Sequence, residues 1–492
     1  MLYNTKVTHD FYRDLLFQGD IRIPTPVLRD IVEEATLRRK RTAFRNRNYP
    51  STIWKAGVPF AFHRSLSTTG RRSVLAAIQF FRQHTCIRFK RRTNEPVYLL
   101  FTGHDEGCWS TVGRDALQGQ QIVSIGPGCE PFGLSSHELA HALGLFHEQS
   151  RYDRDSWITI YPRRILQSYL YNFAKVGRNQ METYGTPYDI GSVMHYTPFE
   201  FSINPEVPSM IAVNINEQGN MGQLEGPSYL DVVKLNRHYF CVARCPYRIR
   251  CFNGGIQNPN NCKICKCPPG YGGNLCADLE ASSIHRCNGR LYARKIPQRL
   301  RLKIAAAPRA SKPRTCIYHI LLVLENVKGS CIPGCWREAV EFKVRYDKRI
   351  TGNRFCCVLS SRKRILSNSP VVPLILKAIR GSTEIVFQYR FVESNVAYDS
   401  GKNVSQDYDK ITFDEGQLIT GDNNEFEMET QNPITENGGN EIKLLSRDGT
   451  ETENVPKIDE AISDGADVLP ELETDLEAMV NDNNNVEFDV VI

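Results

Sequence analysis

The sequence predicts an α+β architecture with an all-β extension, on three observations. One apolar helix carries two histidines four residues apart, at 137 and 141, among helix-like and strand-like segments between 42 and 241. Sixteen cysteines, all before residue 358, fall in even groups of four, six and six, which marks compact disulfide-bonded segments. From residue 287 the apolar residues change to a period of two, and after 393 they thin into a polar, acidic tail. At 492 residues the chain is too long for one core, and about three domains is the expectation.

Residues 1–41 are short and polar. Phe17-Gln18-Gly19-Asp20-Ile21 contains a turn-forming Gly-Asp pair, and Arg38-Arg39-Lys40-Arg41 is a basic run. Arg72 to His84 spaces Val74, Leu75, Ile78 and Phe81 as a helix does; Cys86 to Phe89 and Val97 to Phe101 read as strands. In Ser136-His137-Glu138-Leu139-Ala140-His141 both histidines fall on one helix face, with apolar residues elsewhere. Two such imidazoles can grip one zinc ion, and Glu138 can serve as base for a water beside it. Gly144 can adopt positive φ, ending the helix and bringing His147 back as a third ligand. H-E-x-x-H alone also fits a plain charged helix face; with Gly144 and His147 in register it is the metzincin form of a zinc peptidase site. The turn-like Thr186–Gly191 then leads into Ser192-Val193-Met194-His195-Tyr196, which fits the methionine-containing turn beneath such a site. Near the end, Ser228 caps a helix, with Asp231 three residues on and a body running through Val232, Val233 and Leu235 to Tyr239.

H-E-x-x-H-x-x-G-x-x-H-E, the R-x-D-R-D of residues 151–155 and S-V-M-H-Y together resemble the astacin family of metallopeptidases, nematode-type members with accessory domains in particular. The resemblance implies a two-lobed catalytic domain over 42–241, with zinc on His137, His141 and His147, Glu138 as catalytic base and Tyr196 as swinging ligand and transition-state donor. It implies a propeptide over 1–41, in which Asp20 of an F-x-G-D motif occupies the metal and a furin-like cut after Arg41 starts the mature enzyme at Thr42. It also implies disulfides Cys86–Cys241 and Cys108–Cys129, and a contact from Glu148 to the mature amino terminus. Gly222-Gln223-Leu224 lacks the basic residue that nematode-type members often carry after Gly-Gln, a difference that bears on the substrate subsite.

Cys245, Cys251, Cys262, Cys265, Cys267 and Cys276, with Pro268-Pro269-Gly270-Tyr271-Gly272, resemble an EGF-like module over 242–277. The resemblance implies pairing first to third, second to fourth and fifth to sixth; Cys262-x2-Cys265 is also open to a zinc-cluster reading. Val340, Phe342, Val344 and Tyr346 alternate with charged residues, and Ile385, Phe387, Tyr389 and Phe391 repeat the pattern, which predicts a β-sandwich over 287–393. Its position after such a module resembles a CUB domain, although Cys331, Cys335 and the adjacent Cys356-Cys357 depart from the usual four cysteines and leave the pairing open.

The net charge of +6 conceals an asymmetry: from Gly401 onward 24 acidic residues face 5 basic ones. That tail, 394–492, lacks the apolar surface to offset its ordering entropy and is expected to be disordered. Asn403-Val404-Ser405 within it is a glycosylation sequon. The basic remainder carries no nucleic-acid motif, and no apolar run is long enough to span a membrane. Met1–Lys6 opens no signal-peptide core, yet the cysteines call for an oxidising compartment, so a secreted protein whose true amino terminus lies further upstream is expected. The expectation is a secreted, zinc-dependent endopeptidase made as a zymogen. It would act on extracellular or matrix proteins, and the EGF-like and CUB-like modules would supply further protein contacts. Its rival is an adhesion protein with a vestigial peptidase fold.

Overall fold

The computed structural model describes residues 16–22 and 52–390, apart from 105–106, 116–118, 179–180, 285–287, 295, 307–313, 320–322 and 359–362. The basic run 38–41, Thr42, Cys287, Asn403 and the tail from 394 lie outside the described residues.

The upper lobe is a twisted sheet with two helices packed on it. Its strands are β1 (Ile21–Arg22), β2 (Val58–Phe62), β3 (Phe89–Arg91), β4 (Tyr98–Thr102), β5 (Cys108–Thr111) and β6 (Gln120–Ile125). They lie in the order β1-β5-β6-β4-β2-β3, and only β5 runs against its neighbour β6. Helix α1 (Thr68–His84) begins where the Ser67 hydroxyl accepts from the Gly70 N–H at 3.0 Å, and buries Val74, Ala77, Ile78 and Phe81. Helix α2 (Phe132–Ala142) is buried along almost its whole length. Leu139, Ala140, Ala142 and Leu143 join the α1 residues and Val58, Phe60, Leu99, Phe101 and Val123 in one core.

The strand expected at Cys86–Phe89 begins only at Phe89. The preceding backbone donors are spent locally: Ile87 N–H donates to the Thr85 hydroxyl at 3.1 Å, and Cys86 N–H points at Cys241 Sγ, its disulfide partner. That bridge spans 155 residues; Cys108–Cys129 pins β5 to the approach to α2. The lower lobe has little regular structure beyond β7 (Ile158–Ile160) paired with β8 (Met210–Ala212). Ile158, Phe173, Tyr188, Ile190, Tyr196 and Met210 fill its core. Helix α3 (Tyr229–His238) closes the domain through the Ser228–Asp231 capping box anticipated from sequence.

The next segment forms two small hairpins, β9 (Ile256–Gln257) with β10 (Cys265–Lys266) and β11 (Tyr271–Gly272) with β12 (Asp278–Leu279), tied by Cys245–Cys262, Cys251–Cys265 and Cys267–Cys276. A β-sandwich follows, made of β13 (Asn288–Arg290), β14 (Gln298–Ala305), β15 (Arg314–His319), β16 (Val323–Lys328), β17 (Ala339–Phe342), β18 (Asn353–Phe355), β19 (Lys363–Arg364), β20 (Pro373–Ala378) and β21 (Ser382–Tyr389). One sheet runs β13-β15-β20-β17-β18 and the other β14-β21-β16-β19, around Leu302, Val340, Phe342, Leu374, Ile385 and Phe387. Cys331–Cys357 and Cys335–Cys356 staple one end. The alternation read over 340–346 holds only in part. β17 stops at Phe342, and Glu341 and Lys343, expected to face solvent, are buried, while Tyr346 is exposed. No helix among the described residues is long and apolar enough to cross a membrane.

Candidate active site

Helix α2 presents His137 and His141 one turn apart on one face, with their rings 4.6 Å apart edge to face. Gly144 then takes φ 110°, and a Cβ there would lie 2.7 Å from His238 Nε2, so the reversal needs glycine. The chain turns back and delivers His147, whose ring centroid sits 4.8 Å from that of His141. All three imidazoles are buried.

Each ring is oriented by an acceptor on its Nδ1. His137 donates to the Val193 carbonyl at 2.8 Å and His141 to the Leu145 carbonyl at 2.7 Å. His147 Nδ1 meets the side-chain oxygen of Gln18 at 2.8 Å. With Nδ1 carrying the proton, each Nε2 turns an unprotonated lone pair inward. The His137 and His147 Nε2 atoms lie 3.3 Å apart, and Asp20 Oδ2 is 3.1 Å from both. Asp20 Oδ1 lies 3.8 Å from His141 Nε2, and these last two buried atoms have no hydrogen-bond partner. Four electron-rich ligand atoms within 4.8 Å of one another repel unless a cation sits among them. The nitrogen-rich donor set, with one carboxylate oxygen, fits zinc.

Burial disfavours charge on these groups, and the balance differs among them. At His147 it wins and draws the pKa down to about 4; His141 also falls. At His137 the hydrogen bond and charge of Asp20 outweigh burial and raise it. Asp20 itself is held well below the usual carboxylate range because His147 and the hydrogen bonds of the three histidines outweigh its burial. Glu138 is buried with Oε2 unpartnered, and burial together with the nearby Asp20 charge raises it well above its ordinary value.

The floor of the site is the turn from Asp189 to Tyr196. Ser192 Oγ donates to Asp231 Oδ1 at 2.6 Å and Val193 N–H to Oδ2 at 3.1 Å, so the carboxylate that caps α3 also shapes this turn. Met194 is buried in the core shared with Leu139 and Ala140 of α2, and its carbonyl accepts from the Glu148 N–H at 2.8 Å. Tyr196 N–H donates to Gln149 Oε1 at 3.1 Å; its ring lies 4.7 Å from His147 and its hydroxyl donates to the Gln18 carbonyl. The Glu148 carboxylate is engaged by Arg151 at 3.0 Å, by Lys234, and by the Asp189 N–H at 3.0 Å.

Asp20 reaches the centre through a tight turn. Gln18 (φ 54°) and Gly19 (φ 78°) are both left-handed, and a Cβ on Gly19 would lie 2.9 Å from the Phe201 ring. Strand β1 then runs parallel to β5, pairing Ile21 with Ser110 and Arg22 with Thr111. The sequence reading identified His137, Glu138, His141, His147, Tyr196 and Asp20, and the fold brings all six together. It missed Gln18, Gln149, Asp231 and Lys234 as members of the site. Asp231 alone carried a signal, as the third residue after a cap.

Residues 46–240 match the family model of the astacin peptidases. The chain is 51% identical to zinc metalloproteinase nas-23 of Caenorhabditis elegans over 391 residues, covering 77% of this chain and 73% of that protein. It is 45% identical to zinc metalloproteinase nas-29 of the same organism over 422 residues, covering 80% and 79%. Among solved structures, high choriolytic enzyme 1, a hatching enzyme zinc-protease from Oryzias latipes, is 35% identical over 39% of this chain and 92% of that one, with a TM-score of 0.35. A metzincin helix, a third histidine returned by glycine, a methionine turn beneath them and relatives of this similarity over most of their length converge: the chain belongs to the astacin family and is a zinc metalloendopeptidase.

Proposed function

We propose that this enzyme is exported as a latent precursor and cleaves extracellular or matrix proteins once its amino-terminal segment, residues 1–41, has been removed. The observation that carries the reading is the Asp20 carboxylate, 3.1 Å from the Nε2 atoms of both His137 and His147, where a reacting water and carbonyl have to sit. The capture of the Tyr196 hydroxyl by the Gln18 carbonyl supports the same reading, since it occupies the donor that the reaction needs.

In the released enzyme His137, His141 and His147 would hold zinc, with His137 and His141 still oriented by the Val193 and Leu145 carbonyls on their Nδ1 atoms. Bound there, zinc supplies Lewis acidity, polarising a carbonyl and acidifying a water. Glu138 takes the proton of the attacking water on its carboxylate and passes it to the departing amine. Burial, and after it the Asp20 charge, raise Glu138 above its ordinary value, and loss of the segment removes the second of these. The Tyr196 hydroxyl, freed from Gln18, donates to the developing oxyanion. The three disulfides of residues 245–276 follow the EGF-like order and support that reading, and the two packed sheets support the CUB-like one. Both would engage extracellular proteins. Disulfide-bonded cysteines support secretion.

The test uses a precursor with Arg38 to Arg41 changed to alanines, with and without Asp20→Ala. Peptidase activity should appear only with Asp20→Ala; two equally silent precursors would refute the role of Asp20. Glu138→Gln in the processed enzyme should retain zinc and lose nearly all turnover, and substantial residual hydrolysis at full metal occupancy would remove Glu138 from its role.

A further inference from the structure

The carboxylate of Asp189 opens the turn that carries Met194 and Tyr196, and it is fully buried. Its own domain gives it the Gly191 N–H at 3.2 Å and the Ser228 hydroxyl. Two further donors come from the β-sandwich: the Thr351 N–H at 3.1 Å to Oδ1 and the Thr351 hydroxyl at 3.2 Å to Oδ2. A buried carboxylate stripped of such donors is costly, so the turn is completed from outside the peptidase domain.

The surrounding interface is built for close approach. The Asn220 carboxamide, buried in the peptidase domain, donates to the Gly352 carbonyl at 2.9 Å and accepts from the Arg354 N–H at 2.9 Å. It thus pairs with the backbone of the edge strand β18 as a neighbouring strand would. Arg345 binds Glu217 and lies 4.7 Å over the Trp157 ring. A Cβ on Gly191 would fall 2.4 Å from the Thr351 methyl.

We propose that the β-sandwich is a working part of the catalytic unit, with Thr351 a positioning residue that acts through Asp189 on the turn bearing Met194 and Tyr196. From Asp189 the coupling runs two ways. Its carbonyl accepts from Ser192 N–H at 3.0 Å, ahead of the Val193 carbonyl that orients His137. Its N–H donates to Glu148, the residue after His147. A sandwich that loosens therefore frees the floor of the site while leaving the three histidines on their own elements.

The test is a size exchange across the interface in the full chain, read before and after removal of the amino-terminal segment. Gly191→Ala pushes a methyl into the space of Thr351. It should lower kcat by tenfold or more, on the scale that small misplacements cost, with KM and zinc content near wild type. Adding Thr351→Ser, which removes the methyl nearest that Cβ and keeps the hydroxyl that donates to Asp189, should return part of the lost kcat. Wild-type kcat in Gly191→Ala, or a loss that Thr351→Ser leaves wholly in place, overturns the proposal. Arg345→Glu gives a second reading that is independent of turnover. Hydrogen exchange across residues 186–196 should quicken, and Glu217→Arg in the same chain should slow it again; exchange unchanged in Arg345→Glu counts against the brace whatever the kinetics.

Discussion

Gln18 is a buried amide in a left-handed conformation, which costs a non-glycine residue about 1–2 kcal/mol. That cost is offset by three contacts: its side-chain oxygen orients His147, its amide donates to the Ala174 carbonyl at 3.3 Å, and its own carbonyl holds Tyr196. Gln18→Leu keeps the volume but leaves His147 Nδ1 without an acceptor. Removing such an outer partner weakens metal retention by about 10–100-fold, so the variant precursor should release zinc to a chelator faster by that order. A release rate equal to wild type would show that His147 is held by its backbone alone. Spacing made the histidines and Glu138 legible, because a helix fixes which residues share a face. Gln18 was illegible: in F-x-G-D its place is the open one, and its partners lie 129 and 178 residues away.

At the scale of elements, α3 was readable from Ser228 and Asp231, yet the capping rule understates the second of them. The Asp231 carboxylate accepts from the Ser228 N–H at the start of its own helix and also from the buried Ser192 hydroxyl and Val193 N–H. Ser228→Ala loses the cap and the contact to Asp189 and should cost about 1–2 kcal/mol. Asp231→Ala leaves further buried donors unsatisfied, at about 1–3 kcal/mol each, and should destabilise the protein by clearly more. Denaturant melts of the two variants make the comparison, and equal costs would confine Asp231 to capping. The strand read at Cys86–Phe89 was misplaced for a related reason. Apolar alternation gives no sign that Thr85 and the disulfide partner Cys241 engage the backbone donors there.

Over the whole molecule, sequence periodicity revealed a sandwich but not where it docks. Glu341 and Lys343 follow the solvent phase of the alternation, and they are buried because that phase faces other charged groups and the peptidase domain. Glu341 accepts from Arg354 at 2.9 Å and from the Gly352 N–H at 2.9 Å. Burial alone would raise its pKa, but Arg354 and Lys343 outweigh it and hold it at about 2, against an ordinary 4.5. A carboxylate depressed on folding contributes stability that is present above its unfolded value and lost as pH falls through the folded one. On the order of 3 kcal/mol should therefore disappear between pH 4.5 and about 2. Glu341→Gln should flatten that part of the stability profile. An unchanged slope would place the acid sensitivity elsewhere.

Strand β1 pairs with β5 over only two residues, Ile21 and Arg22. That pairing adds to the burial of Phe17 and Ile21 and to the contacts of Gln18 and Asp20, and the proposed latency draws on them through effective concentration. While the segment is covalently attached, its local concentration is on the order of millimolar, and modest contacts suffice to keep the site filled. Once cut free, as proposed, and diluted, the same contacts meet a concentration many orders lower, and the segment leaves, freeing Tyr196 and the three histidines. The synthetic peptide Leu16-Phe17-Gln18-Gly19-Asp20-Ile21-Arg22 should therefore inhibit the processed enzyme only weakly, with a Ki in the high micromolar range or above. The irreversibility of activation would then come from dilution, with no need for a second protease to destroy the released segment.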